Sequence, residues 1–247
     1  MNLQNFTNRD KCVIILLVIK MITRELYLNK IIDAKDTEFI KVITGVRRSG
    51  KSTLLLMFKE YLLQNNVKEE NIIHMNFESA MYDDIKNYND LYMYVKEKIK
   101  NEKVYLLLDE VQNVEAWEKA INSFKVDFNV DIYITGSNAY LLSSELSTLL
   151  SGRYIEIKMY PLSFKEYLTF NNYTRDNIDD KFNEYLKYGG LPAITLIKDK
   201  SELVLSYLND IYNTIVKKDI IDRNNIKDAV LLENIIKYLA NNIGSPV

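Results

Sequence analysis

A nine-residue stretch, 45–53, has the residue types and spacing of a phosphate-binding loop. It reads GVRRSGKST and matches the pattern G-x-x-x-x-G-K-[ST] at every fixed position. In such a loop backbone N–H groups surround phosphate oxygens, Lys51 reaches the β- and γ-phosphates, and the Ser52 hydroxyl holds Mg²⁺. The alternative is a glycine turn before a surface helix. We predict a nucleotide-phosphate site made of Gly45, Val46, Arg47, Arg48, Ser49, Gly50, Lys51, Ser52 and Thr53.

Two consecutive carboxylates, Asp109 and Glu110, follow the apolar run 104–108, which reads VYLLL. An aspartate at the tip of a buried strand can hold Mg²⁺ through a water molecule, beside Ser52. The glutamate that follows it points to the other side and can polarise an attacking water molecule. Asp-Glu pairs are also common in loops, but the phosphate loop upstream favours a catalytic role. The pair predicts a metal ligand in Asp109 and a general base in Glu110.

Polar residues also follow the apolar run 130–135, which ends at Thr135 and continues with Gly136, Ser137 and Asn138. A polar side chain at this tip would lie between the two motifs, where it could position the water molecule or sense the γ-phosphate. We favour Ser137 or Asn138 for this role, with Thr135 next. The alternative is that these side chains cap the following helix, which Ser and Asn do well.

The elements that position these residues alternate along the chain. Helical patterns separate five strand-like runs, and the first of them, LLLMFKEYLLQ, directly follows the phosphate loop. This alternation predicts an α/β fold with a mostly parallel sheet that helices cover on both faces. Ligands of such sheets bind at the carboxyl ends of the strands. The predicted strands are 39–44, 72–77, 104–108, 130–135 and 154–159.

After residue 161 the strand pattern stops and only helical patterns remain, which predicts a helical subdomain after the sheet. The turn Gly189-Gly190-Leu191-Pro192 links two of these helices, and it could border the nucleotide or only shape the helical part. The predicted helices are 163–172, 178–188, 201–218 and 225–242.

Composition limits the class of protein. The formal net charge is −2 and the sequence pI about 5.7, so the whole chain carries no basic footprint for nucleic acid. One cysteine and one histidine, His74, give neither a disulfide within the chain nor a His/Cys metal cluster, and they fit a cytoplasmic setting. We interpret His74 as a core or sheet-edge residue.

The first twenty residues differ from the rest of the chain. The apolar run 12–19 spans eight residues, far fewer than the roughly 20 that a transmembrane helix needs, and no small-residue cleavage site follows it. It could form a buried strand or belong to a signal peptide. We favour a dispensable leader, with Met21 as an alternative start.

Taken together, these segments resemble the prokaryotic AAA-superfamily ATPases that carry a C-terminal nuclease-like domain. The resemblance covers 21–243 and implies an ATP- and Mg²⁺-binding core at 21–160 with sheet order 5-1-4-3-2. It further implies a helical lid at 161–224 and, at 225–247, a helix that leads into a truncated winged-helix-like segment. The resemblance alone suggests DNA as a partner, and the sequence leaves DNA binding by this chain open. The matching strings are RELYLNKII, GVRRSGKSTLL, LLLDEVQNVEAWEKA, ITGSNAYLLSSELSTLLSGRY, YPLSFKEYL and YGGLP.

The resemblance also bears on Arg153, which follows Gly152 and precedes the predicted strand 154–159. In ring-forming ATPases an arginine at this junction reaches the nucleotide of a neighbouring subunit, so Arg153 is a candidate finger for catalysis through self-association. The alternative is a surface arginine after a glycine helix stop. Arg47 and Arg48 could likewise touch phosphate or face solvent.

We therefore predict an AAA-type P-loop ATPase that binds ATP and hydrolyses it with Mg²⁺. Guanine specificity is disfavoured because the chain contains no N-K-x-D string. The Asp-Glu pair favours water over a small-molecule hydroxyl as the phosphoryl acceptor. The alternatives are a nucleotide-gated switch or scaffold that binds ATP with little turnover, and an inactive fragment.

Overall fold

Five parallel strands form one sheet in the order β2-β3-β4-β1-β5. The predicted order 5-1-4-3-2 is confirmed. The computed structural model describes residues 23–100, 102–136, 150, 152–174, 176–197, 200–222 and 224–244. The strands are β1 (Ile40–Gly45), β2 (Ile72–Asn76), β3 (Val104–Asp109), β4 (Val130–Thr135) and β5 (Tyr154–Met159).

Helices cover the two faces of the sheet, which explains why every residue of β1, β3 and β4 is buried. Because successive side chains of a strand point to opposite faces, neighbouring residues join different cores. In β1, Val42 belongs to the core on one face that includes Leu91 and Phe124, whereas Ile43 belongs to the core on the other face that includes Phe58. The helices that flank the strands are α1 (Glu25–Asp33), α2 (Lys51–Gln64), α3 (Tyr88–Lys98) and α4 (Trp117–Asp127).

A network of buried charges lies at the amino ends of β1 and β4. Lys41 Nζ is 2.5 Å from Asp131 Oδ1, and the two side chains are 0% and 1% exposed. The second oxygen of Asp131 accepts hydrogen bonds from the Tyr133 hydroxyl and the Asp36 N–H. Burial lowers the pKa of Lys41, although its hydrogen bond to Asp131 opposes that shift. This network lies at the opposite edge of the sheet from the phosphate loop, which follows the carboxyl end of β1.

Helices continue the chain after the sheet, as predicted. The first compact unit, 1–195, includes α5 (Phe164–Phe170) and α6 (Ile178–Tyr188). The Ser163 side chain accepts a hydrogen bond from the Glu166 N–H, and Glu166 bonds back to the Ser163 N–H, which closes a capping box at the start of α5. A 3-10 turn, Pro192–Leu196, follows α6.

The second compact unit, 196–247, contains α7 (Ser201–Thr214) and α8 (Ala229–Asn241). The prediction of one helix over 201–218 holds as far as Thr214, after which Ile215–Asp222 forms a π-helix. Asp228 caps α8 by accepting a hydrogen bond from the Leu231 N–H. Among the residues that the structure describes, no helix has the length and apolar character that a bilayer span requires.

Candidate nucleotide-binding site

The predicted phosphate loop connects the end of β1 to the first turn of α2. Strand β1 ends at Gly45, and α2 begins at Lys51 after Gly50, whose φ of +99° suits glycine. This strand–loop–helix geometry points the positive end of the α2 dipole and its unpaired N–H groups at the loop. A phosphate is the ligand that such a loop binds best.

Gly45 is required by a close approach of two backbones. A Cβ atom added at Gly45 would lie 2.3 Å from the backbone oxygen of Met159, the last residue of β5. Any side chain would therefore push the loop away from the end of β5. The Met159 side chain also reaches within 3.4 Å of a Cβ atom added at Gly50. The end of β5 thus packs against both glycines of the loop.

The Lys51 ammonium lies among acceptors of the loop and of β3. Its Nζ atom donates to the backbone oxygens of Gly45 and Val46, at 3.2 and 3.3 Å, and it lies 3.8 Å from Glu110 Oε1. Burial lowers the pKa of Lys51, and the neighbouring charges of Glu110 and Asp109 oppose that shift. The phosphate loop and the carboxylate pair therefore meet at the carboxyl edge of the sheet, as the sequence predicted.

Thr135 connects the two carboxylate residues. Its hydroxyl donates to Asp109 Oδ1 at 2.5 Å and accepts a hydrogen bond from the Glu110 N–H at 3.0 Å. All three residues are buried. The sequence favours Ser137 or Asn138, with Thr135 next, as the polar side chain that positions water or senses the γ-phosphate at the tip of β4. Ser137 and Asn138 lie outside the described residues. Through these two hydrogen bonds, Thr135 fixes the orientation of the peptide between Asp109 and Glu110.

Glu110 occupies a backbone conformation that few residues with a side chain adopt, with φ at +54°. Its Oε2 accepts a hydrogen bond from Gln112 Nε2 at 2.5 Å, and its Oε1 faces Lys51. Burial raises the pKa of Glu110, while Gln112 and Lys51 counteract part of that rise. Gln112 was missed from the sequence, although it stands two residues after Glu110 in the string DEVQ.

The residues present fit a hydrated divalent cation beside the loop. Asp109 Oδ2 is buried and finds no hydrogen-bond partner among the described residues, so one carboxylate oxygen remains available to a metal-bound water molecule. Ser52 is half-buried in the first turn of α2, where a phosphate-loop serine offers its hydroxyl to a metal. This donor set consists of hard oxygens, which suits Mg²⁺.

The remaining predicted residues divide between the loop and the opposite edge of the sheet. Arg47 is half-buried, Arg48 is exposed with φ at +62°, and Thr53 is exposed. Arg153 is also exposed, and its backbone oxygen accepts from the Ile40 N–H at the amino end of β1. It therefore lies about 16 Å along the strand from the phosphate loop of its own chain. The structure does not bring Arg153 to the site formed by this chain.

His74 lies in the edge strand β2, as predicted, and it takes no part in the site described above. Burial lowers its pKa, which Asp109 opposes, and its Nε2 has no partner among the described residues. A half-buried imidazole in an edge strand, with its pKa lowered by burial, is consistent with a packing role.

The parallel sheet with its phosphate loop after β1 and its Asp-Glu pair at the carboxyl end of β3 defines a P-loop ATPase domain. The chain belongs to the AAA domain family, whose model matches residues 37–168. A second model, of a domain of unknown function (DUF8612), matches residues 179–247. The predicted resemblance to AAA-superfamily ATPases is thereby confirmed.

The chain is similar to two uncharacterised relatives and, in its fold, to a solved structure. An uncharacterised protein of Haemophilus influenzae is 48% identical over 231 residues, which are 92% of this chain and 57% of that protein. An uncharacterised protein of Methanocaldococcus jannaschii is 36% identical over 228 residues, 83% of this chain and 48% of that protein. The chain thus spans about half the length of these curated relatives. The Walker-type ATPase of Pyrococcus abyssi has a similar fold, with a TM-score of 0.52 at 16% identity over 82% of this chain and 75% of that one.

Proposed function

We propose that this protein binds ATP together with Mg²⁺ and hydrolyses it. The observation that carries the proposal is the meeting of a cation and two carboxylates at one sheet edge: Lys51 Nζ lies 3.8 Å from Glu110 Oε1, and Asp109 is the neighbouring residue. A positive charge, a metal-binding oxygen and a base are the groups that phosphoryl transfer to water requires.

The phosphate loop would hold the β- and γ-phosphates. Backbone N–H groups at the start of α2 and the helix dipole favour negative charge there. Lys51 now bonds two neutral backbone oxygens of the loop, and a phosphate would be a stronger, charge-assisted partner for its ammonium. Binding of nucleotide would therefore draw Lys51 away from Glu110.

Ser52 and Asp109 would hold the magnesium ion, Ser52 directly and Asp109 through water. When bound, Mg²⁺ supplies neutralisation of the phosphate oxygens during transfer. Thr135 donates to Oδ1 of Asp109, and Oδ2, which has no hydrogen-bond partner among the described residues, would accept from a metal-bound water molecule. The carboxylate is thus oriented before the metal binds.

Glu110 would accept the proton of the attacking water molecule. As the water oxygen forms its bond to the γ-phosphorus, the bond to the β-γ bridging oxygen breaks, ADP leaves and the proton passes to Glu110. The raised pKa of Glu110 makes it a stronger base than an exposed glutamate. Its backbone at positive φ aims this side chain toward the loop rather than along the strand.

A second candidate function is a nucleotide-gated switch that binds ATP with little turnover. It is favoured by the hydrogen bond from Gln112 to Glu110, which occupies one of the two oxygens of the base. Should that bond persist in the ATP complex, Glu110 would activate water poorly.

We further propose that Arg153 acts in trans in a self-associated ATPase. Its exposure and its distance from the loop of its own chain leave it accessible to a second copy. The family resemblance supports DNA as a partner, and the low cysteine content supports a cytoplasmic location.

The Lys51→Ala variant tests the nucleotide site. Lys51 supplies charge to the phosphates, so the variant should lose ATP–Mg²⁺ binding and turnover while it keeps its fold. The measurements are the affinity for ATP–Mg²⁺, the rate of phosphate release and circular dichroism. Lys68→Ala is the matched control, because Lys68 is 59% exposed in a surface ion pair with Glu102. Wild-type affinity in folded Lys51→Ala would overturn the assignment of the site.

A further inference from the structure

Arg24 is a buried cation outside the motifs that the proposed function uses. It precedes α1, and its side chain is 4% exposed. Its guanidinium carbon stacks 4.4 Å above the centre of the Tyr27 ring. A buried arginine requires partners that compensate the loss of water, and their positions indicate what this side chain does.

All five N–H donors of the guanidinium have acceptors. Nε and Nη2 donate to the two carboxylate oxygens of Glu166, at 2.8 and 3.0 Å, in a bidentate pair. The other three bonds reach backbone oxygens, those of Ser49 at 3.3 Å, Tyr160 at 2.6 Å and Pro161 at 3.3 Å. Such complete use of the donors is a property of the planar arginine fork that lysine cannot reproduce.

These acceptors belong to three different parts of the ATPase domain. Ser49 lies in the phosphate loop, Tyr160 and Pro161 directly follow β5, and Glu166 belongs to the capping box of α5. The end of β5 already packs against the loop, since Met159 closes on Gly45. Arg24 therefore joins the loop, the end of the sheet and the first helix after the sheet.

The bond to Ser49 bears on phosphate binding through the geometry of the peptide. A trans peptide is planar, so its carbonyl oxygen and the next N–H point in opposite directions. By holding the Ser49 oxygen, Arg24 also fixes the direction of the Gly50 N–H, which is one of the loop donors available to a phosphate. The buried guanidinium of Arg24 thus orients the Gly50 N–H, which points to the opposite side of this peptide.

We propose that Arg24 and Glu166 form a clamp that holds the phosphate loop in its binding conformation and couples it to α5. Both are positioning residues, and the proposal rests on the proposed function because the clamp acts on the ATP site. Movement of α5 would pull Glu166, and through Arg24 it would alter the Ser49–Gly50 peptide. Nucleotide at the loop would, by the same connection, stabilise the start of α5.

The test compares Arg24→Lys, Glu166→Gln and the double variant with wild type. Each single variant should weaken ATP–Mg²⁺ affinity about tenfold, the scale of a lost hydrogen bond to a charged group, with a smaller change in kcat. The double variant should lose little more than the worse single variant, because the two residues act as one unit. Without nucleotide, amides 45–53 and those at the start of α5 should exchange hydrogen faster in all three.

Asp131→Asn is the matched control, since it replaces an acid by its amide in a buried ion pair at the opposite edge of the sheet. It should lower the melting temperature but leave the affinity of the folded protein and the exchange of loop amides unchanged. Tyr133→Phe, which removes one hydrogen bond from the same network, serves this purpose if Asp131→Asn does not fold.

These measurements distinguish a failure of the proposed ATP site from a failure of the clamp formed by Arg24 and Glu166. If wild type binds no ATP–Mg²⁺, the proposed function fails, and with it the effect of the clamp on affinity; the exchange data then report separately whether Arg24 holds the loop. If wild type binds but folded Arg24→Lys and Glu166→Gln bind equally well, with unchanged exchange at 45–53, the clamp is overturned and Arg24 is a packing residue only.

Discussion

At the scale of single residues, two polar side chains, those of Thr135 and Gln112, organise the carboxylate pair. Thr135 contacts both Asp109 and the Glu110 N–H, and Gln112 contacts the Glu110 carboxylate. The residue types at the loop and after β3 were predictable, because a phosphate loop and a strand-end acid pair have fixed spacing. The hydrogen-bond partners of the two acids, Thr135 and Gln112, were not predictable. Hydrogen bonds between neighbouring strands and within a tight turn depend on side-chain direction rather than on spacing.

Thr135→Val tests the contact between the strands. The valine has nearly the same shape but leaves Asp109 Oδ1 and the Glu110 N–H without their partner, so the pair loses its fixed orientation. We expect kcat to fall about tenfold or more with a smaller change in ATP affinity. Thr135→Ser keeps the hydroxyl and should retain most activity. Equal kcat values for Thr135→Val and wild type would show that this hydroxyl does not orient the base.

At the scale of elements, the strands followed from the alternation of apolar runs and helical patterns, whereas their order in the sheet was implied by the resemblance to AAA-superfamily ATPases. Strand bounds differ from the predictions by a residue at some ends, for example at β1, which ends at Gly45 rather than Thr44. The string RELYLNKII was visible in the sequence, but nothing in its spacing indicates that Arg24 reaches Glu166, 142 residues away. Such long-range ion pairs are properties of the folded chain, and local periodicity does not encode them.

The pair of Arg24 and Glu166 also predicts a pH dependence of stability. Burial alone would raise the pKa of Glu166, but the hydrogen bonds from Arg24 and Ser163 outweigh it and lower the pKa below its ordinary value of 4.5. A lowered pKa in the folded state means that the stabilisation is complete above about pH 4.5 and is lost as the pH falls through the folded pKa.

Denaturant unfolding of wild type and Glu166→Gln between pH 3 and pH 7 would measure this effect. Wild type should be the more stable protein at pH 7, and the difference should shrink below about pH 4.5. A difference that stays constant down to pH 3 would mean that the Glu166 charge contributes nothing to stability.

At the scale of the whole molecule, the sheet separates the loop from Arg153. The loop follows the carboxyl end of β1, whereas Arg153 pairs with Ile40 at its amino end. Sequence placed Arg153 correctly before β5, but only the register of a parallel sheet shows that one chain cannot bring it to its own loop. An arginine so placed can complete a nucleotide site only in a neighbouring copy.

Turnover should then depend on assembly. Specific activity of wild type should rise with protein concentration, because an arginine finger accelerates phosphoryl transfer by about 10³–10⁵ where it acts. Arg153→Ala should bind ATP but lose this dependence. Mixing Arg153→Ala with Lys51→Ala should restore part of the activity, since each variant supplies what the other lacks. Activity that is flat with concentration, together with an inactive mixture, would exclude catalysis in trans.

The rate of ATP hydrolysis by wild type and Glu110→Gln, measured at saturating ATP–Mg²⁺, tests whether this protein is an ATPase with Glu110 as its base. Glutamine keeps the shape of Glu110 and can still contact Gln112, but it cannot accept a proton. We expect Glu110→Gln to bind ATP and to hydrolyse it slower than wild type by roughly 10²-fold or more. Equal turnover by the two proteins would contradict the assignment of Glu110 as the base, and bound ATP with no turnover in wild type would show that the protein is a nucleotide-gated switch.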